Sequence, residues 1–334
     1  MKVLVTGGAG YLGSTTARAL ERAGHTPVVL DSLLTGPRVF VGDRIFYEGD
    51  VADPRLVGRV FAEHPDIGCT IHMAARIVVP ESVAQPAMYY RDNVTKSLEL
   101  LDRLAELGQR RVIFSSSASV YAAADGSEVT ELSPVAPASP YARSKLMTEQ
   151  MLEDLAAAGR LRAVVLRYFN PIGSDPDLTT GGYDRRPSHV LGQMTMAALG
   201  RQDRFTVTGT RHPTRDGTGL RDYLHVWDLA EAHVAAVERF DDALTRVGAP
   251  STVVNVGTGQ GVTVRELLAV VEEVLGRRVP TVDADARPGD PVGAYANVDK
   301  AREVLGWRSR LSVAEGVESA LRWAERRSRV LGYD

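Results

Sequence analysis

Residues Lys2 to Thr6 read as a short buried strand that runs directly into Gly7-Gly8-Ala9-Gly10-Tyr11-Leu12-Gly13, after which a helical pattern continues through Leu20 and stops at Gly24. Few short stretches restrict a fold so strongly. Glycines at 7, 10 and 13 permit a tight turn, a close approach of backbone to a pyrophosphate and close packing of helix on strand, with the helix N-terminus facing the anion. The next strand, Pro27 to Leu30, ends at Asp31. An acid there can accept both ribose hydroxyls of NAD and repels the extra phosphate of NADP. The chain therefore begins with what reads as a dinucleotide-binding unit.

The alternation continues. Strand candidates at Ile45 to Tyr47, Cys69 to His72 and Arg111 to Phe114 are separated by helical segments near 54–63 and 86–107. This order predicts an α/β fold, a Rossmann-type doubly wound parallel sheet. Asp50, followed by Val51, falls at one strand end, where its carboxylate could meet an adenine amine. Met73-Ala74-Ala75 falls at another and would border the cofactor. In the helix over 86–107, Val94, Leu98, Leu101, Leu104 and Ala105 have the spacing of a packed face. Asn93 falls on its inner side, where it could bond a neighbouring loop or a cofactor group.

Beyond Asn170 the regular alternation stops, and Pro171, Pro176, Gly181, Gly182 and Pro187 follow in quick succession. That composition suggests the loops of a smaller, mixed α/β substrate-binding domain. Val253 to Gly257 reads as another strand of the first sheet, so the boundary is discontinuous. The expected division is 1–169 with returning segments about 223–257 for the dinucleotide domain, and 170–222 with 258–334 for the smaller one. A chain of 334 residues is long enough for both.

Composition narrows the partners. A net charge of -3 gives no general attraction to nucleic acid or to an anionic membrane, so a charged ligand must be captured locally. No apolar run is long enough to span a bilayer. The single Cys69 excludes an internal disulfide and a cysteine metal cluster, and it fits a reducing compartment, hence a cytoplasmic location. The histidines are scattered without metal-ligand spacing, so no metal is expected.

Two stretches carry candidate chemistry. Ser115-Ser116-Ser117-Ala118-Ser119 follows a sheet strand, at the position where doubly wound folds place ligands; it reads either as a plain turn or as a hydroxyl beside the reacting groups. Ser139-Pro140 then opens a helix containing Tyr141 and Lys145, with serine as the N-cap and proline at the first helical position. Four residues apart, Tyr141 and Lys145 share a face, separated by a rise of roughly 6 Å. Bringing a phenol from about 10 to near 7 requires about 4 kcal/mol. An ammonium about 4 Å away supplies roughly that amount at an effective dielectric near 20. At greater separation a second positive charge, such as an oxidised nicotinamide, has to contribute.

Thr6 to Gly13, Ser115-Ser116-Ser117 followed by Val120-Tyr121, and Tyr141 with Lys145 resemble the extended short-chain dehydrogenase/reductase superfamily. Arg167-Tyr168-Phe169-Asn170-Pro171 with Gly173, the run Pro213 to Val226 and Arg287-Pro288-Gly289-Asp290 resemble the UDP-glucose 4-epimerase family within it. The likeness covers about residues 2 to 325, and its later motifs are more specific than the glycines. It implies a tightly held NAD that takes a hydride from sugar C4 and returns it to the other face of a 4-keto sugar. The roles it implies are a base for Tyr141, a ribose contact and pKa depressor for Lys145, and a hydrogen bond to the reacting oxygen for Ser117. It extends the cofactor contacts to Gly7, Gly10, Tyr11, Leu12, Gly13, Asp31, Asp50, Val51, Ala74, Ala75, Asn93, Ser115 and Phe169. It implies substrate contacts at Asn170, Ser188, His189, Val190, Thr208, Arg221, Arg287 and Asp290. Arg221 and Arg287 can offer planar forks to the diphosphate of a UDP-sugar. Such proteins commonly form a homodimer through helices equivalent to 86–107 and 140–157.

The sequence departs from the family pattern where the sugar and base are held. Ser188-His189 replaces asparagines, Thr208 replaces an aromatic over the uracil, and Ala294 occupies the position linked to tolerance of N-acetylhexosamines. Ile77 replaces a lysine near the diphosphate, with Arg76 as a candidate substitute, and Arg185-Arg186 adds charge that could suit an acidic sugar such as a hexuronate. A nucleotide-sugar 4,6-dehydratase would need an acid pair at Ala118 and Ser119, where no acid stands. Asp31 disfavours a reductase using free NADPH. An intact Ser117, Tyr141 and Lys145 argues against a non-catalytic NAD-sensing protein.

Overall fold

Seven parallel strands form the central sheet of the computed structural model, which describes residues 1–122, 125–286 and 292–333. From one edge their order is Ser251–Val256, Arg162–Tyr168, Arg111–Ser115, Ile67–His72, Lys2–Thr6, Thr26–Asp31 and Ile45–Glu48. The order reverses between Lys2–Thr6 and Ile67–His72, which creates the crevice at the C-terminal strand ends where such folds bind nucleotides.

Alternation along each strand explains the two layers. Val3 and Val5 point into a core with Ile71, Ile113, Val164 and Trp227, whereas Leu4 points to the other face with Val28, Val112, Val165 and Leu152. Both faces are apolar, as helix-covered parallel strands require. Ala301, Val304, Leu305 and Trp307 complete the first of these cores. The sequence places that stretch in the smaller unit; its apolar residues instead close the large sheet beside the Val226–Glu238 helix.

The expected helix over 86–107 is broken into Pro86–Tyr90, a π-turn at Arg91–Thr95 and Lys96–Glu106. A π-turn accommodates one extra residue, and it rotates the packed face. The buried positions are Tyr89, Asn93, Ser97, Leu100, Leu101 and Leu104, while Leu98 is 45% exposed. The predicted place of Leu98 on the packed face is therefore corrected.

The smaller unit has its own core, built from Leu191, Met194, Val207, Tyr223, Leu267, Val271, Val317 and Leu321. Leu220–Arg221, Gly293–Ala296 and Val262–Thr263 form a second sheet, joined at its edge by Asp125–Val129 from the stretch expected in the dinucleotide domain, and Phe205–Thr208 pairs with Thr281–Ala284 in another. Among the described residues no helix is long and apolar enough to cross a membrane, and no group of His, Cys, Asp or Glu is arranged to hold a metal ion.

Candidate active site

The glycine turn is fixed by contact distances. Gly7 has a φ of +72°, and a Cβ on Gly13 would lie 2.1 Å from the Gly7 carbonyl oxygen. Only glycine permits that approach. The Tyr11–Arg22 helix starts at Gly10 with no side-chain cap and no acid in its first turn, so its leading N–H groups face outward at the positive end of the dipole. Leu12 packs beneath them against the core. Asp31 accepts from Ala9 N at 2.9 Å and from Leu33 N at 2.8 Å, which holds the carboxylate at the lip of the turn. These features form a cradle that fits a dinucleotide diphosphate and its ribose.

Several predicted cofactor residues have side chains committed elsewhere. The Tyr11 hydroxyl donates to the Gly173 carbonyl oxygen at 2.6 Å. Ser115 Oγ pairs with His233 Nε2 at 2.8 Å, leaving its backbone carbonyl to face the Pro140–Ala157 helix. Asp50 is held by Lys96 Nζ at 2.7 Å, with Val51 buried beside it. Ala74 and Ala75 are half-buried after the Ile67–His72 strand, where Ala74 abuts Gly7. Phe169 is buried with Tyr121, Val129 and Ala296. Asn93 is locked by three contacts: its Oδ1 accepts from Arg76 N at 2.8 Å, and its Nδ2 donates to Arg76 O at 2.9 Å and Ser144 Oγ at 3.1 Å.

Ser139 Oγ accepts from Ala142 N at 3.1 Å, capping the Pro140–Ala157 helix as its sequence requires. Tyr141 and Lys145 are both buried on that helix. Burial pushes the Tyr141 phenol up to about 12, opposed by a hydrogen bond with Ser117. Burial also pulls Lys145 down to about 8, opposed by the charge of Glu149. The Lys145 ammonium donates to the Ser115 carbonyl oxygen at 2.8 Å and lies 4.9 Å from the Phe114 ring centre. Of the two expected cases, the one that calls for a second positive charge fits Lys145 here. Its proton is aimed at a carbonyl, and desolvation of Tyr141 dominates, so a second positive charge must act on the phenol.

The structure brings Ser117, Tyr141 and Lys145 together and joins them to residues that the sequence alone does not single out. Glu149, four residues after Lys145, accepts from Arg167 Nη2 at 2.6 Å and from Ser116 Oγ. The four-residue spacing is visible in the sequence, but a glutamate on an exposed-looking helix turn reads as a solvated charge. His72 bonds Thr6 Oγ1 and Ser97 Oγ, both at 2.8 Å.

On the substrate side, Arg221 Nη1 donates to Leu220 O at 2.6 Å and Val292 O at 3.0 Å, and Arg221 stands opposite Ala294 in the sheet register. Asn170 is exposed, its N–H bonded to Asp222 O at 2.9 Å. Thr208 ends the Phe205–Thr208 strand, half-buried. Ser188 is exposed. His189 Nδ1 accepts from Gly192 N at 3.1 Å, so the ring caps the helix that begins at Val190. Arg76 is paired with Asp92, which offsets the charge it was expected to offer a diphosphate. Arg185 lies 4.4 Å from the Tyr333 ring centre. Arg287 and Asp290 lie outside the described residues.

A profile of the NAD dependent epimerase/dehydratase family matches residues 3–257. The UDP-glucose 4-epimerase of Azospirillum brasilense is 44% identical over 324 residues, 96% of this chain and 91% of that protein. The UDP-glucose 4-epimerase of Bacillus subtilis is 40% identical, covering 100% of this chain and 99% of its own. Among solved structures, UDP-glucose-4-epimerase from Stenotrophomonas maltophila, with bound NAD and formylated UDP-arabinopyranose, superposes with a TM-score of 0.93 at 36% identity over 98% of this chain and 99% of that chain.

Proposed function

Because the chain belongs to the NAD dependent epimerase/dehydratase family, we propose that it is an NAD-dependent 4-epimerase of UDP-hexoses, interconverting UDP-glucose and UDP-galactose through a transient 4-keto sugar. The observation that carries this reading is the burial of the Tyr141 phenol and the Lys145 ammonium on one face of the Pro140–Ala157 helix, beside the Ser115–Ser117 segment whose carbonyl Lys145 holds. An epimerase needs a base that takes and returns one proton at one sugar oxygen. A dehydratase also needs an acid to expel water, and Ala118 and Ser119 form a 3-10 turn that supplies none.

The glycine cradle, the uncapped helix start and Asp31 would hold NAD by its diphosphate and adenine ribose. Bound NAD would supply the hydride acceptor and, when oxidised, a positive charge that favours the phenolate. Tyr141 receives the proton of the sugar 4-hydroxyl and returns it once the sugar presents its other face. Ser117 donates to the same oxygen and holds it through both directions. Lys145, released from the Ser115 carbonyl, can bind a ribose hydroxyl and add its charge to the phenol's surroundings. Burial of Tyr141 and Lys145 excludes water that would otherwise compete for the proton.

Arg221 supports the diphosphate, with Arg287 as the proposed second fork. The exposed apolar side chains of Val83, Leu98 and Met147 support pairing of two chains through the helices around 86–107 and 140–157. A reducing, cytoplasmic setting suits the single buried Cys69. Incubating the purified protein with UDP-galactose tests the reading: UDP-glucose should form without added oxidant, and a protein that converts no UDP-hexose would refute it.

A further inference from the structure

Behind the catalytic helix lies a buried ion pair that proton and hydride transfer do not use. Glu149 and Arg167 are each 6% exposed. Arg167 Nε donates to both carboxylate oxygens, at 3.0 and 3.1 Å, and Nη2 donates to Oε2 at 2.6 Å. Isolated pairs of this kind seldom stabilise a fold, since desolvation offsets the attraction. Their position gives the better clue. Glu149 Oε1 accepts from Ser116 Oγ, whose residue is fully buried. The Arg167 guanidinium lies 4.9 Å from the Tyr121 ring centre, and the Tyr121 hydroxyl donates to Asn255 Oδ1 at 2.6 Å.

Ser116 and Tyr121 flank Ser117 at the two ends of one short loop. Glu149 rides on the helix that carries Tyr141 and Lys145, and Arg167 rides on the sheet strand beside Arg111–Ser115. We propose that Glu149, braced by Arg167, is a positioning residue that clamps both ends of the Ser117 loop to the catalytic helix and sets the electrostatic environment of Lys145.

The clamp explains how the site tolerates loss of its direct link. When Lys145 leaves the Ser115 carbonyl, the Ser116–Glu149 bond still holds the serine loop to the helix. It also explains a charged lysine in a buried site. The titratable groups that face Lys145 are Glu149 from its own helix and His72 from the Ile67–His72 strand. His72 is neutral, pulled down to about 3 by burial and by the lysine. Glu149 is the group that favours the ammonium.

This inference rests on the epimerase reading, and the experiment separates the two. The wild type, Glu149→Gln and the double variant Glu149→Met with Arg167→Met are purified, their bound NAD is measured, and kcat and KM for UDP-galactose are followed against pH. Glutamine keeps the shape and a bond to Ser116 but removes the charge; the double variant removes both charges without leaving either one buried alone. The expected result is a kcat lower by on the order of 10²-fold, as misplacement of reacting groups produces. KM should change little, and the alkaline limb of the kcat profile should move to lower pH by about one unit as Lys145 loses its partner. If glutamine prevents folding, the double variant decides. An unchanged kcat, or a lower kcat whose pH profile stays in place, would overturn the clamp while leaving the epimerase reading intact. An inactive wild type would instead overturn that reading.

Discussion

Lys145 Nζ lies 2.8 Å from the Ser115 carbonyl oxygen, so the ammonium that should activate Tyr141 is parked on the strand that leads to the serine loop. The phenol meanwhile is pushed up to about 12 and keeps its proton. In the mechanism proposed above, proton abstraction by Tyr141 awaits the charge that bound nucleotide would supply. Tyr141→Phe should retain fold and bound NAD yet lose on the order of 10² to 10⁴-fold in kcat. Steady-state rates together with the absorbance of the bound nucleotide check this.

Lys145→Met should abolish turnover and raise stability. The folded protein holds this lysine at about 8, against 10.5 for the same group free in water, so below pH 8 the unfolded chain holds its charge more cheaply than the folded one. The difference is about 3 kcal/mol. Wild-type stability should rise relative to the variant as pH increases from 8 toward 10.5, read by urea unfolding of nucleotide-free protein.

Gly13→Ala should destroy nucleotide retention. Its Cβ would sit 2.1 Å from the Gly7 carbonyl oxygen, so either the turn or the helix must shift away from the cradle. The nucleotide released by acid precipitation should fall well below one per chain.

Buried histidines should make the protein acid-sensitive. His72 is pulled down to about 3, and His225 and His233 to about 4, by burial above all. All three are neutral when folded, whereas the unfolded chain binds protons near pH 6.5. Their stabilising contribution is present above 6.5 and is lost as pH falls toward 4, at about 1.4 kcal/mol per unit for each. Ser97 Oγ donates to Asn93 O at 2.6 Å, so His72 Nε2 must donate to Ser97 and Nδ1 must accept from Thr6. Denaturation of His72→Gln between pH 6.5 and 5 should show a slope smaller by about half a proton at the upper end, approaching one at the lower.

Replacing Leu98 and Met147 with glutamate should yield monomers. Both side chains are apolar and exposed, at 45% and 39%, on helices that otherwise pack inward. Sedimentation should show the wild type at twice the mass of the double variant; a wild-type monomer would remove the proposed dimer.

The sheet was legible because its signals are local. Lys2–Thr6, the glycine turn and Asp31 each follow from backbone needs within a few residues, and Ser139-Pro140 announces the catalytic helix. What escaped depends on distant partners. The π-turn at Arg91–Thr95 accompanies the bonds of Asn93 to Arg76 and Ser144, and no periodicity of the segment itself encodes it. Glu149 reads as a solvated charge until Arg167 and Ser116 stand around it in three dimensions. His189 Nδ1 caps a helix, a role that its segment of sequence does not announce. Spacing pairs Lys145 with Tyr141, and spacing does not reveal that a carbonyl competes for the lysine's proton.

The most direct test of the central claim is the fate of the hydrogen at sugar C4. UDP-galactose carrying deuterium at C4 should be converted by the purified protein, without added nucleotide, into UDP-glucose that keeps the deuterium at C4, because one bound cofactor removes and returns it. Loss of the label to solvent, or no conversion at all, would contradict the account.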